Sequence, residues 1–148
     1  MVHFISFCGG EVIVLYRVTN SIEFAYGHRL LNHSGKCRHL HGHNGVLEFD
    51  IDSHQLNDLG MVIDFSEART LVKEWVDDNL DHRMLLDRRD PLVPVLNDMG
   101  ESLYLFDKNP TAENIAEHIY HQITKNSFNL SEIRLWETST NCATYRKI

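Results

Sequence analysis

Two runs of strict alternation, "SIEFAYGH" at Ser21–His28 and "HGHNGVLEFDID" at His41–Asp52, constrain the fold more than any other feature of the sequence. A two-residue period is that of a strand with one face buried, so Ile22, Phe24, Tyr26 and His28 share a face, as do Leu47, Phe49 and Ile51. Continued backwards, the second run puts His43, His41 and His39 on the Leu47 face, so imidazoles line one end of a surface that is apolar at the other. Two such strands need a larger sheet and a covering layer to be stable in water.

The covering layer is legible. Asp64 is an N-cap with Glu67 three residues on, and Ala68, Leu71, Val72, Trp75 and Val76 follow at helical spacing. Asn109 and Pro110 open a second helix through Ala112, Ile115, Ala116, Ile119, Tyr120 and Ile123. "EVIVLYRV" at Glu11–Val18 reads as strand, broken from the next run near Thr19 and Asn20, and "EIRLWETST" and "ATYRKI" read as closing strands. Residues 83–108 contain Pro91, Pro94 and Gly100 and read as loop, with at most a short strand or a turn of helix. Strands, two helices and strands in that order predict an α+β domain with an antiparallel sheet, and 148 residues suit one domain over 1–148.

A formal charge of −7 argues against a nucleic-acid partner, though it leaves room for a local basic pocket. Cys8, Cys37 and Cys142 form no disulfide framework and fit a reducing compartment. The first residues lack a cationic leading segment and carry Glu11, and no run approaches the roughly 20 apolar residues of a membrane span. The expectation is a cytoplasmic protein without membrane contact.

"KCRHLHGHNG" at Lys36–Gly45 carries the chemistry. Imidazole is the commonest zinc ligand, and histidines two apart on a strand point the same way. With His28 in phase, three nitrogens would leave one position open, which is the pattern of a catalytic zinc; a solvated histidine-rich loop is the plainer alternative. Spacing leaves open which of His33, His39, His41 and His43 are ligands. Cys37 fits either a fourth ligand or a base or nucleophile beside an open site. Asp81 next to His82 suits a carboxylate–imidazole pair, or a histidine set against a helix C-terminus. Glu137 follows Ile133 and Leu135 on one strand face, where a carboxylate needs a partner: a ligand with two adjacent N–H donors, or a neighbouring arginine.

Together these residues resemble the 6-pyruvoyl- and 6-carboxy-tetrahydropterin synthase family. "FAYGHRL", "CRHLHGHN", "VIDF", "LDHRMLLD", "PTAENIA" and "WETSTNCATY" occur in the family's order from about Ile22 to Tyr145. The resemblance implies the tunnelling fold, with a four-stranded antiparallel sheet and two helices on one face. It also implies trimers that close their sheets into a barrel, a homohexamer made of two trimers, and active sites at subunit interfaces. It implies zinc held by His28, His41 and His43, Cys37 as the catalytic thiol, His82 oriented by Asp81 as its partner, Glu137 as the acid that anchors the pterin and joins the proton relay, and Thr111 near the pterin ring. The implied substrate is 7,8-dihydroneopterin triphosphate.

Three residues, Arg38, His39 and Leu40, separate Cys37 from the His-Gly-His motif, as in the family's queuosine-pathway members. That spacing points to 6-carboxy-5,6,7,8-tetrahydropterin, acetaldehyde and triphosphate as products. The alternatives are a biopterin-type 6-pyruvoyl-tetrahydropterin synthase and a non-catalytic zinc- or pterin-binding relative. The chain departs from the family at Gly45, where an aromatic residue is usual, in its first ten residues, and in a longer segment around 93–109.

Overall fold

The computed structural model describes residues 14–125 and 129–147. The strand expected from Glu11 begins outside the described residues, as do the extra first ten. Among the described residues six strands form one sheet: β1 (Tyr16–His28), β2 (His41–Ser53), β3 (Arg83–Asp87), β4 (Leu103–Phe106), β5 (Glu132–Thr138) and β6 (Asn141–Arg146). Three helices accompany them: α1 (Phe65–Asn79), α2 (Leu92–Asp98) and α3 (Ala112–Thr124). Among the described residues no helix is long and apolar enough to cross a membrane.

The strand order is β4-β3-β1-β2-β5-β6. The central pair, β1 and β2, is antiparallel from Tyr16 opposite Ser53 to His28 opposite His41. The break expected at Thr19 and Asn20 is absent, because both stay in the ladder and the Thr19 hydroxyl donates to Asp50 at 2.7 Å. β5 and β6 extend the sheet antiparallel on one side.

On the other side β3 pairs parallel with β1, and β4 parallel with β3. The expected four-stranded antiparallel sheet with two helices is therefore corrected to a mixed six-stranded sheet with three helices. "RMLLD" and "LYLF" are four or five residues long and do not alternate; Leu85 and Leu86 are both fully buried, as parallel strands covered on two faces require. Pro94 hid α2, but it is the third residue of that helix, where the backbone nitrogen has no intrahelical acceptor to lose.

The alternation resolves as expected. Ile22, Phe24, Leu47, Phe49, Ile133 and Leu135 face Ala68, Val72 and Val76 of α1 and Ile115, Ile119 and Ile123 of α3 in one core. Each large side chain there contributes about 1.5–3 kcal/mol. Asp64 caps α1 by accepting from Ser66 N at 2.7 Å. The opposite sheet face carries a polar network in which buried Asp50 accepts two bonds from Arg134, at 2.7 and 2.9 Å, and Arg134 also reaches Glu48. Asp50 thus keeps its charge in a buried position because its partners replace water.

Candidate active site

Strand register assembles the histidines. His28 stands opposite His41, and His43 lies two residues further along β2 on the same face. The three side chains each offer a nitrogen, and these atoms lie within 4.8 Å of one another. His28 is buried, and its Nδ1–H donates to the Pro110 carbonyl at 2.8 Å. His41 Nδ1–H donates likewise to the His39 carbonyl at 2.8 Å. Both bonds leave Nε2 with its lone pair inward, the arrangement usual for metal-bound histidine. Burial holds His28 below the ordinary imidazole range, and this outweighs the opposing pull of the Pro110 bond and Glu137.

Nε2 of His28 and of His43 is buried without a hydrogen-bond partner. Two buried ring nitrogens without partners would cost stability unless something binds there, and a divalent cation suits three neutral imidazoles. The donor set therefore fits zinc. Of the four histidines that spacing left open, the structure groups His41 and His43 with His28. His33 is exposed and accepts from Gly35 N, while His39 is exposed and contributes its backbone carbonyl.

A cavity of 680 Å³ opens beside the cluster, lined among others by Lys36, Cys37, Thr111 and Glu137. Cys37 is half-buried in a single 3₁₀ turn, Lys36–Arg38, that is tied down by Leu30 N donating to the Cys37 carbonyl at 2.8 Å. The thiol lies outside the three-histidine group. Thr111 is the N-cap of α3, and its hydroxyl accepts from Asn114 N at 3.3 Å.

Glu137 sits near the end of β5, where the pairing with β6 becomes irregular. Its Oε1 accepts from the Tyr26 hydroxyl at 3.1 Å and lies 3.7 Å from His28 Nε2 and 4.0 Å from His43 Nε2. No arginine among the described residues pairs with it; Arg134 is engaged on the other face. Tyr26 was not singled out as a site residue in the sequence, although it shares His28's face. Burial and the adjacent carboxylate push its phenol above the ordinary range.

Asp81 and His82 stand apart. His82 Nδ1 bonds Asp81 Oδ2 at 2.7 Å, and Asp81 Oδ1 accepts from Ala25 N at 2.8 Å. Burial would raise the Asp81 carboxyl, yet the bonds from Ala25 and His82 bring it below its ordinary value. His82 lies beyond the Leu80 C-cap in the left-handed region, at φ 55°, so its partner is the carboxylate and not the helix end. Its side chain is 81% exposed and faces a second opening, which His41, His43 and Met84 also line and in which Cys37 takes no part. Of the residues expected in the site, one chain gathers the three histidines, Cys37, Thr111 and Glu137, and leaves Asp81–His82 outside.

Residues 17–148 match the family described as 6-pyruvoyl tetrahydropterin synthase. The chain belongs to that family. It is 39% identical over 135 residues to the 6-carboxy-5,6,7,8-tetrahydropterin synthase of Rickettsia conorii, covering 86% of this chain and 97% of the relative. The 6-pyruvoyl tetrahydrobiopterin synthase of Dictyostelium discoideum is 34% identical over 113 residues, covering 76% of this chain and 74% of the relative. The 6-pyruvoyl tetrahydropterin synthase structure from Plasmodium falciparum superposes with a TM-score of 0.72 at 23% identity, over 90% of this chain and 98% of the other, and so shares the fold.

Proposed function

We propose that this family member is a zinc-dependent carbon–carbon lyase. It converts 7,8-dihydroneopterin triphosphate to 6-carboxy-5,6,7,8-tetrahydropterin, releasing acetaldehyde and triphosphate, in queuosine biosynthesis in the cytoplasm. The observation that carries the reading is the convergence of three imidazole nitrogens with a thiol and a carboxylate at one cavity. The three-residue gap between Cys37 and His41 and the 39% identity to a carboxy-type relative favour this product over the pyruvoyl one.

In this reading His28, His41 and His43 hold the zinc, which supplies Lewis acidity toward the substrate's side chain and makes its C–H bonds more acidic. Glu137 anchors the pterin, because a carboxylate matches two adjacent N–H donors on a planar ring. Cys37, as thiolate, takes a proton from the side chain and returns it at the ring. Thr111, at the cavity wall, closes the pterin side. Asp81 orients His82, and the pair exchanges protons with the thiol of a neighbouring copy.

That last role requires self-association. His82 is exposed, and the outer edges of β4 and β6 carry no partner strand among the described residues. Open edges favour pairing with another chain, in keeping with trimers that join their sheets into a barrel and stack as a hexamer. The free thiols Cys37 and Cys142 fit a reducing compartment.

The test is product analysis by mass spectrometry on zinc-loaded protein with dihydroneopterin triphosphate. Acetaldehyde with carboxypterin is the expected result. Pyruvoylpterin instead would move the chain to the biopterin-type reaction, and no product with tight pterin binding would make it a non-catalytic relative.

A further inference from the structure

Gly45 finds its explanation across the sheet. A β-carbon placed there would lie 3.0 Å from Tyr26 Cε1 and 3.5 Å from both Phe24 Cε1 and Leu135 Cδ1. The Tyr26 ring, stacked on Phe24 with centroids 5.2 Å apart, already fills the space that a side chain at 45 would enter. A side chain at 45 and a tyrosine at 26 exclude each other, since interior packing leaves no second volume for the loser.

The consequence is reach. Tyr26 is on β1 and Glu137 on β5, with β2 between them. Two strand spacings amount to about 9.6 Å, so a tyrosine on β1 meets a glutamate on β5 only by lying across β2, at a position where β2 presents no side chain. Gly45 is that position, next to Val46, the residue paired with Trp136 immediately before Glu137.

The Tyr26 hydroxyl then holds Glu137 Oε1 at 3.1 Å beside the histidine nitrogens, while Oε2 takes no hydrogen bond from the described residues. We propose that Tyr26 is a positioning residue acting through Glu137. Laid over Gly45, it fixes one carboxylate oxygen beside the histidine cluster and leaves the other, together with the first oxygen's remaining lone pair, to receive the two adjacent N–H donors of the pterin. A glutamate has three side-chain torsions to order, and fixing them before the ligand arrives removes that cost from binding. The inference rests on the pterin reading of the cavity.

The experiment measures neopterin binding by fluorescence to zinc-free and zinc-loaded full-length protein, together with zinc content, Tm and steady-state kinetics. Tyr26→Phe is expected to keep wild-type Tm and zinc content, to weaken neopterin about tenfold in both metal states, and to raise KM more than it lowers kcat. In a Glu137→Ala background the same change should have no further effect. Tyr26→Ala should lower Tm, and adding Gly45→Phe should restore Tm without restoring neopterin affinity.

Wild-type affinity in Tyr26→Phe, or an undiminished effect of that change in Glu137→Ala, overturns the positioning role. Recovery of affinity by Tyr26→Ala/Gly45→Phe reduces the tyrosine to a space-filler, and no recovery of Tm overturns the exchange with position 45. A wild-type protein that binds no neopterin overturns the pterin reading itself, and the inference falls with it.

Discussion

Both the histidine cluster and the Asp81–His82 pair are fastened to β1, and they differ in how much of their geometry one chain provides. His28 is an integral residue of β1, buried, with its tautomer set by Pro110 and its neighbours set by the β1–β2 register. His82 hangs from Ala25 by its backbone N–H at 2.7 Å and by the carboxylate of Asp81, with its ring in solvent. A metal site has to be rigid, because several nitrogens must meet at one point, and a sheet supplies that rigidity. The opening that His82 lines also includes His41 and His43 but not Cys37, so the proton exchange with a thiol proposed above needs the thiol of another copy. One chain by itself brings together the three histidines of the candidate metal site, while the His82 ring stays in solvent.

The largest expected effect breaks the histidine cluster. His28→Ala should abolish zinc binding and turnover together, read by metal analysis and product formation, whereas Cys37→Ala should retain full zinc and lose about 10²–10⁴-fold in rate. Loss of zinc in Cys37→Ala would place the thiol among the ligands and erase the division of roles.

Next comes the Asp81–His82 pair. His82→Ala should keep zinc and be nearly inactive, and co-assembly of His82→Ala with Cys37→Ala subunits should regain activity, because mixed interfaces rebuild one intact site. Absence of any regain, with mixing confirmed by native mass spectrometry, would put both residues in the same chain's site.

Protonation has a gentler effect than either substitution. Zinc binding requires neutral imidazoles, so affinity should fall as acid protonates the ligands. Burial holds His28 below the ordinary histidine value of about 6.5 when folded, so in the metal-free protein it contributes stability that is fully present above that value and is lost as pH falls through it toward the folded one. Metal titrations and urea melts across pH 5–8 check both. His82→Ala should leave this dependence unchanged.

The smallest effect concerns Thr111. Thr111→Ala removes the cap of α3 and should cost about 1 kcal/mol, seen as a lower Tm. A larger loss in neopterin affinity than in stability would show that the hydroxyl also serves the cavity.

Legibility in the sequence followed the range of the interactions. The helices α1 and α3 were readable because Asp64, the Asn109–Pro110 start and the apolar spacing act within a few residues of chain, although the structure makes Thr111 the cap of α3. The short parallel strands β3 and β4 were not, since an apolar run buried on both faces has no period to distinguish it. His41 and His43 could be placed on one face by counting, but choosing them over His33 and His39 from spacing alone was not possible, because the choice depends on where β2 starts. Asp81 and His82 could be paired but not located.

By itself the sequence determined the alternating faces, the two amphipathic helices and the residue types able to bind a metal and move protons, all consequences of local periodicity and side-chain chemistry. Only the tertiary structure decided the sheet's order, the convergence of three imidazole nitrogens, the absence of Cys37 from the opening that His82 lines, and the passage of Tyr26 over Gly45 to Glu137. These depend on which strands become neighbours and in what register. That pairing is fixed by burial summed over the whole core and is carried by no single stretch of chain.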